Sequence, residues 1–212
     1  MKKKKKRIIL IIVVILIIIS IIIILNSFSK QKQDQPSKLY ELNEKLNTSQ
    51  TYLFKMEQND DKKTIMAKKQ NKTIIDQYSE NSHATTIVKD NNTYLVLHDR
   101  EEYYIYEQNN AEQNILSDEL EGISQKQFTT GNEKVKGKKY YYEEYPGSTI
   151  FMISNTLAAN EEETKTRFYF DKDNNLIYIQ TINGAKQELL KVSIEKEVDD
   201  SIFEIPSNYA EN

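Results

Sequence analysis

From Ile8 to Leu25 the chain is apolar at every position except Ser20, with no polar face at any helical phase. A stretch that is hydrophobic all round suits a lipid surround, whereas a helix packed on a core needs only one apolar stripe. At roughly 1.5 Å of rise per residue it spans about 27 Å, enough for a thin bilayer core. After it the pattern changes. Lys30 to Ser37 is polar and contains Pro36, so 26–36 reads as a linker. Ser37 to Asn47 predicts a helix, with Ser37 as N-cap and Leu39, Leu42 and Leu46 on one stripe.

From Thr51 the period becomes two. Tyr52–Glu57, Thr64–Ala67, Thr85–Lys89, Thr93–His98 and Tyr103–Tyr106 alternate between polar turn clusters, including Asn59-Asp60-Asp61 and Asp90-Asn91-Asn92. Helical spacing returns over Asn110 to Gly122 through Ala111, Ile115, Leu116 and Leu120, with Gly122 as the stop. Strands are predicted again at Lys138–Tyr145, ending at Pro146-Gly147, at Arg167–Phe170 and at Leu176–Ile182, with Asn183-Gly184 as a hairpin turn. Ser148 to Ala159 is ambiguous, and Glu161 to Glu163 reads as a solvated turn or helix end. The last strand, Gln187 to Val198, puts Leu190, Val192, Ile194 and Val198 on one face. The expectation is roughly eight to eleven strands with one leading helix and one or two inserted. The fold class is therefore mainly β with helices (α+β), preceded by one N-terminal transmembrane helix. Only five glycines are present, which favours an open, strongly curved antiparallel sheet over a small closed barrel.

Charge orients the apolar segment. Lys2 to Arg7 form an unbroken basic block ahead of it, and positive charge stays on the cytoplasmic side. The expected order is a cytoplasmic segment 1–7, a membrane anchor 8–25, the linker 26–36 and an exported domain 37–212. The protein is then a single-pass protein of the cell membrane, its N-terminus cytoplasmic and its C-terminal domain extracellular. The apolar core is longer than the roughly 7–15 residues of a signal peptide, which favours the uncleaved anchor. Ser27-Phe28-Ser29 keeps cleavage after Ser29, and so secretion, as the alternative. The whole chain carries −3; residues 1–30 contribute +7, leaving the exported part at −10. An acidic domain argues against a nucleic-acid partner, which needs a basic patch.

Candidate chemistry is sparse. There is no cysteine, which removes disulfides, thiolate metal sites and thiol nucleophiles. His83 and His98 are the only histidines; they fall on different predicted elements, and a solvent-facing role is expected for each. Asp171-Lys172-Asp173-Asn174-Asn175 begins like a calcium loop but has Leu176 where a glycine is needed and Ile182 where a glutamate is needed, so it reads as a hairpin turn. Glu143-Glu144 and Asp199-Asp200 are paired acids on alternating faces and read as solvated. No nucleophile motif or phosphate-binding glycine loop is present. The expectation is no enzyme, no catalytic residue, no metal ligand and no cofactor. Tyrosine is abundant, at 14 residues, and dense at Tyr103, Tyr104 and Tyr106 and at Tyr140, Tyr141, Tyr142 and Tyr145. It reads first as sheet filling and second as an aromatic platform.

Three stretches share a recognisable order: 128–145, ending Gly137-Lys138-Lys139-Tyr140-Tyr141-Tyr142-Glu143-Glu144-Tyr145; Phe168-Tyr169-Phe170-Asp171 with Asn175-Leu176; and 199–209, Asp199-Asp200-Ser201-Ile202-Phe203-Glu204-Ile205-Pro206-Ser207-Asn208-Tyr209. This resembles the LolA-like superfamily of exported bacterial lipoprotein carriers and lipoprotein-sorting proteins, over roughly Ser37 to Tyr209. The resemblance implies a half-open curved sheet whose apolar concavity is covered by helices and can hold acyl chains. It implies a binding protein for a lipid, an acyl chain or a lipidated partner. Phe168, Phe170, Ile177, Ile179, Leu190, Val192 and Ile194 are the candidate cavity residues. Without a cysteine to lipidate, the basic-apolar N-terminus stands as the tether. The alternative is a cell-surface protein-interaction or sensor-accessory domain with a membrane-protein partner and no small ligand.

Overall fold

A computed structural model describes residues 37–59, 62–107, 115–147 and 164–212. The expected cytoplasmic segment, membrane anchor and linker lie outside the described residues, as do the Asp60-Asp61 turn, the start of the inserted helix and 148–163. No helix among the described residues is long and apolar enough to cross a membrane. Residues from Ser37 onward form one compact unit.

The described residues open with helix α1 (Lys38–Thr48) and continue through β1 (Thr51–Asn59), β2 (Lys62–Lys69), β3 (Lys72–Ser79), β4 (Ser82–Lys89), β5 (Asn92–Leu97) and β6 (Glu102–Glu107). Helix α2 (Ile115–Ser124) follows, then β7 (Thr129–Val135), β8 (Lys138–Pro146), β9 (Thr164–Phe170), β10 (Leu176–Asn183), β11 (Lys186–Glu195) and a short β12 (Ala210–Glu211). The fold is mostly β: one open, curved sheet of twelve strands in the order β12-β6-β5-β4-β3-β2-β1-β11-β10-β9-β8-β7. Strands β1 to β6 pair with their sequence neighbours, as do β7 to β11; β12 adds parallel to β6. The two runs meet where β1 pairs antiparallel with β11. Turn chemistry sets the hairpins. Asp90 and Asn91 (φ 53° and 61°) and Lys136 and Gly137 (φ 47° and 82°) both take the left-handed conformations of a two-residue turn.

Each face of the sheet has its own core. On one face α1 and α2 lay Leu39, Leu46, Leu116, Leu120 and Ile123 over Phe54, Met56, Phe168, Phe170, Ile179, Leu190 and Val192. On the other, Ala67, Ile74, Ile87 and Val96 are covered by Val198 and Phe203 of the C-terminal segment. Strand alternation produces this division: Phe54 faces the helices, while its neighbour Leu53 packs with the second cluster.

Helix α1 is fastened at its N-terminus. Ser37 caps it, its Oγ accepting from the Tyr40 amide at 3.0 Å. Glu143 of β8 is fully buried and accepts from the Lys38 amide (2.7 Å), the Leu39 amide (3.2 Å), the Ser37 hydroxyl (3.0 Å) and the Tyr145 hydroxyl (2.9 Å). A carboxylate set against free helix amides is a charge-assisted cap. The sequence pattern placed Glu143 in solvent. The structure corrects this, because the alternation of β8 turns Glu143 toward the helix-covered face. Glu144 faces the other way and pairs with Arg167 at 2.6 Å and Lys165 at 3.2 Å.

Further corrections follow from local chemistry. Helix α2 runs through Gly122 to Ser124. The turn after β10 is centred on Gly184 and Ala185, with Asn183 paired to Lys186. Val198 does not share a face with Leu190: β11 ends at Glu195 and the chain crosses to the second cluster. Strands β3 and β7, absent from the predicted list, are both present.

Candidate binding pocket and its histidine pair

The second face carries a pocket of about 270 Å³. Register builds it. In the β3–β4 pair Asp76 stands opposite Thr85 and Tyr78 opposite His83; in the β4–β5 pair Ala84 stands opposite Leu97, which brings His98 beside His83. Alternation then puts Ile74, Asp76 and Tyr78 of β3 and His83, Thr85 and Ile87 of β4 on this face, together with Val96. The walls are apolar, with Ile65, Ile74, Ile87 and Val96 from the sheet and Ile202 and Pro206 from the C-terminal segment. One end is polar, formed by Asp76, His83, Thr85 and His98.

The polar end is a connected chain of hydrogen bonds. The Thr85 hydroxyl donates to Asp76 Oδ1 at 2.6 Å, and His83 Nε2 lies 2.8 Å from the same oxygen. Thr85 Oγ1 is also 2.7 Å from His98 Nε2, and His98 Nδ1 is 3.0 Å from the Tyr209 hydroxyl. One proton assignment satisfies every contact: Tyr209 donates to Nδ1 of His98, His98 Nε2–H donates to Thr85, and Thr85 and His83 Nε2–H donate to an ionised Asp76. The His98 imidazole is then neutral. The rings also form a file. Tyr78 stacks on His83 at 3.8 Å, His83 on His98 at 3.6 Å with 7° between planes, and Tyr209 meets His98 edge-on at 5.5 Å. Lys63 Nζ sits 4.1 Å from the Tyr78 ring centre.

Burial lowers the pKa of His98 below its ordinary 6.5, and the neighbouring His83 lowers it further, against the opposing pull of Asp76 and Asp99. The folded protein therefore resists a proton that the unfolded chain accepts below about pH 6.5. Stability contributed by neutral His98 is full above that value and is lost as pH falls toward the lower folded pKa. We expect urea-unfolding stability to drop as pH falls below about 6.5, and the slope to flatten in His98→Gln.

The sequence placed the two histidines on separate elements without partners. The structure joins them, and adds Asp76 from a strand that the pattern did not predict. The expected cavity residues lie elsewhere. Phe168, Phe170, Ile179, Leu190 and Val192 are buried in the helix-covered cluster, with Ile194 partly buried against it. Ile177 belongs to neither cluster. The β9–β10 register shifts between Leu176 and Tyr178, and this bulge gives Leu176, rather than Ile177, to the helix face. None of the seven lines the pocket on the second face. The tyrosines of β8 are mostly packing: Tyr145 is buried against Phe168, Tyr142 lies between Tyr169 and the Arg167 guanidinium, and Tyr141 meets Phe170. The Asp171 turn is held by its own carboxylate, Oδ1 accepting from the amides of Asp173 and Asn175, both at 2.8 Å.

No protein-family model matches the chain, and no curated protein matches it. Among solved structures it is similar to an uncharacterized conserved protein from Thermus thermophilus, with 10% identity, a TM-score of 0.49, and coverage of 82% of this chain and 96% of that one. It is also similar to the Mycobacterium tuberculosis lipoprotein LppX, with 13% identity, a TM-score of 0.40, and coverage of 78% and 99%. Likeness of this degree carries no ligand and no residue role from one chain to another.

Proposed function

We propose that the chain is a membrane-anchored extracytoplasmic binding protein that accepts an apolar chain, from a lipid or a lipidated partner, in the pocket of its second face. The observation that carries this reading is the pocket's make-up: six apolar side chains line its walls, and a polar cluster closes one end. That is the complement of an amphiphile's tail and head. Its volume of about 270 Å³ falls just below the roughly 300–1,000 Å³ of small-molecule sites, which suits one chain segment rather than a two-tailed lipid. The basic block and apolar run at the N-terminus support the tether and the extracytoplasmic placement.

A binding role accounts for the polar end better than catalysis. Thr85 beside His98 resembles a nucleophile–base pair. However, Thr85 is buried, its hydroxyl is committed to Asp76, and the far nitrogen of His98 meets a phenol rather than an orienting carboxylate.

The test is photolabelling of the full-length chain, reconstituted in lipid nanodiscs, with a diazirine-bearing palmitate, followed by peptide mapping. We expect label on β3–β5 and on 198–206, and its loss in Ile74→Phe, which fills the pocket. Label confined to 8–25, or to the helix-covered residues around Phe168 and Leu190, would overturn the placement. A second reading, an interaction domain with no small ligand, draws on Ile105 and Tyr106, both exposed on β6 and on opposite faces of the sheet. It predicts no palmitate label outside 8–25 and a membrane protein crosslinked through β6.

A further inference from the structure

We propose that Asp76, His83 and His98 form a binding site for a divalent first-row transition ion such as Zn²⁺. The proposal stands whether or not the pocket takes a lipid. The chain has two histidines, and the fold brings both, from adjacent positions of one hairpin, to a carboxylate on the next strand. One ligand atom from each of the three lies within 4.8 Å of the others. A tetrahedral ion with bonds of about 2.0–2.1 Å separates its ligands by about 3.3 Å, so side-chain rearrangement is needed to close the set. Two imidazoles and one carboxylate suit a borderline ion; calcium and magnesium prefer oxygen alone. Three protein ligands leave a coordination position open toward the pocket, as in open zinc sites. Glu204 also lines the pocket, but its carboxylate is paired with Lys89 at 3.1 Å, so the three side chains are the site's own ligands.

Binding changes the site in a defined way. Parallel rings cannot both aim in-plane lone pairs at one point, so one imidazole must rotate about its soft terminal torsion and the His83–His98 stack must open. Each ring must also present an unprotonated Nε2. For His98 the proton moves to Nδ1, and the Tyr209 hydroxyl changes from donor to acceptor while keeping the contact. The hydrogen bonds of the ion-free network must be given up, so the expected affinity is micromolar rather than the much tighter binding of a preformed site.

The test uses the full-length chain in mild detergent, with a histidine-free affinity tag, stripped by chelator. Titration with ZnCl₂ by calorimetry should show one equivalent, and Co²⁺ should give the visible absorption of a tetrahedral site. His83→Gln and His98→Gln should each abolish the one-equivalent isotherm, while Tyr209→Phe should weaken it about 10-fold. On the wild-type chain, Zn²⁺ should protect both histidines from diethylpyrocarbonate, which keeps the proposal testable if a variant fails to fold. Absence of saturable Zn²⁺ binding in the submillimolar range would overturn it. So would an unchanged isotherm in the folded double variant, or undiminished histidine modification in the presence of Zn²⁺.

Discussion

Replacing Glu143 with alanine is expected to destabilise the domain by about 3 kcal/mol, read as a lower urea midpoint at unchanged m-value. The carboxylate is fully buried, and four donors at 2.7–3.2 Å converge on it, two of them amides at the start of α1. Alanine would leave the Lys38 and Leu39 amides with no carboxylate to meet, and would leave a void under the helix. Each buried group stripped of its partner costs roughly 1–3 kcal/mol. Glu143→Gln keeps the shape and one carbonyl acceptor, so it should lose less. Equal losses for the two variants would show that volume, not the cap, is what Glu143 supplies.

Replacing Phe203 with alanine should cost about 3 kcal/mol or more, in the range for large-to-small changes at a fully buried aromatic. Phe203 is the anchor that holds the C-terminal segment on the second face. Its ring packs in the Ile74–Ile87–Val96 cluster, and its carbonyl accepts from Lys89 Nζ at 2.8 Å. The loss should have a local signature that an ordinary core deletion lacks. Hydrogen exchange should quicken across 198–206 before it quickens in the strands, and palmitate labelling of the pocket should fall with it. Uniform acceleration throughout the sheet would mean that the segment is not a separable cover.

The strand-rich, open architecture was legible in the sequence because alternation and turn residues agree along most of the chain. Ser37 and its leucine stripe likewise mark α1 to within a residue. Strand β3 was not legible. Asp76 and Gln77 interrupt its alternation, and the polar residue that hides the strand is one that closes the pocket. Glu143 was misread for a related reason: alternation tells which residues share a face, but not what covers that face. The late-strand residues Leu190 and Val192 were correctly grouped on one face, and the structure lays helices over it. Ile177 was displaced by a bulge that no residue announces. The histidine pair could have been found by pairing the Thr85–Lys89 and Thr93–His98 strands about the Asp90-Asn91 turn. That register sets His83 beside His98.

The seam between β1 and β11 has a consequence for how the molecule assembles. Apart from the β8–β9 pair, whose connection runs over 147–163, the hairpins within β1–β6 and within β7–β11 close over short loops and can form in about 1–10 μs. The seam joins residues such as Glu57 and Lys191, 134 positions apart, and its closure entropy grows with the logarithm of that span. Until it forms, the newly made chain is two separate meanders, and the strands that the seam will join, Thr51–Asn59 and Lys186–Glu195, are bare edges. Those edges are complementary in cis and equally complementary in trans. Crowded nascent chains would therefore exchange halves through this pairing, so a domain-swapped dimer is the misassembly that the topology favours.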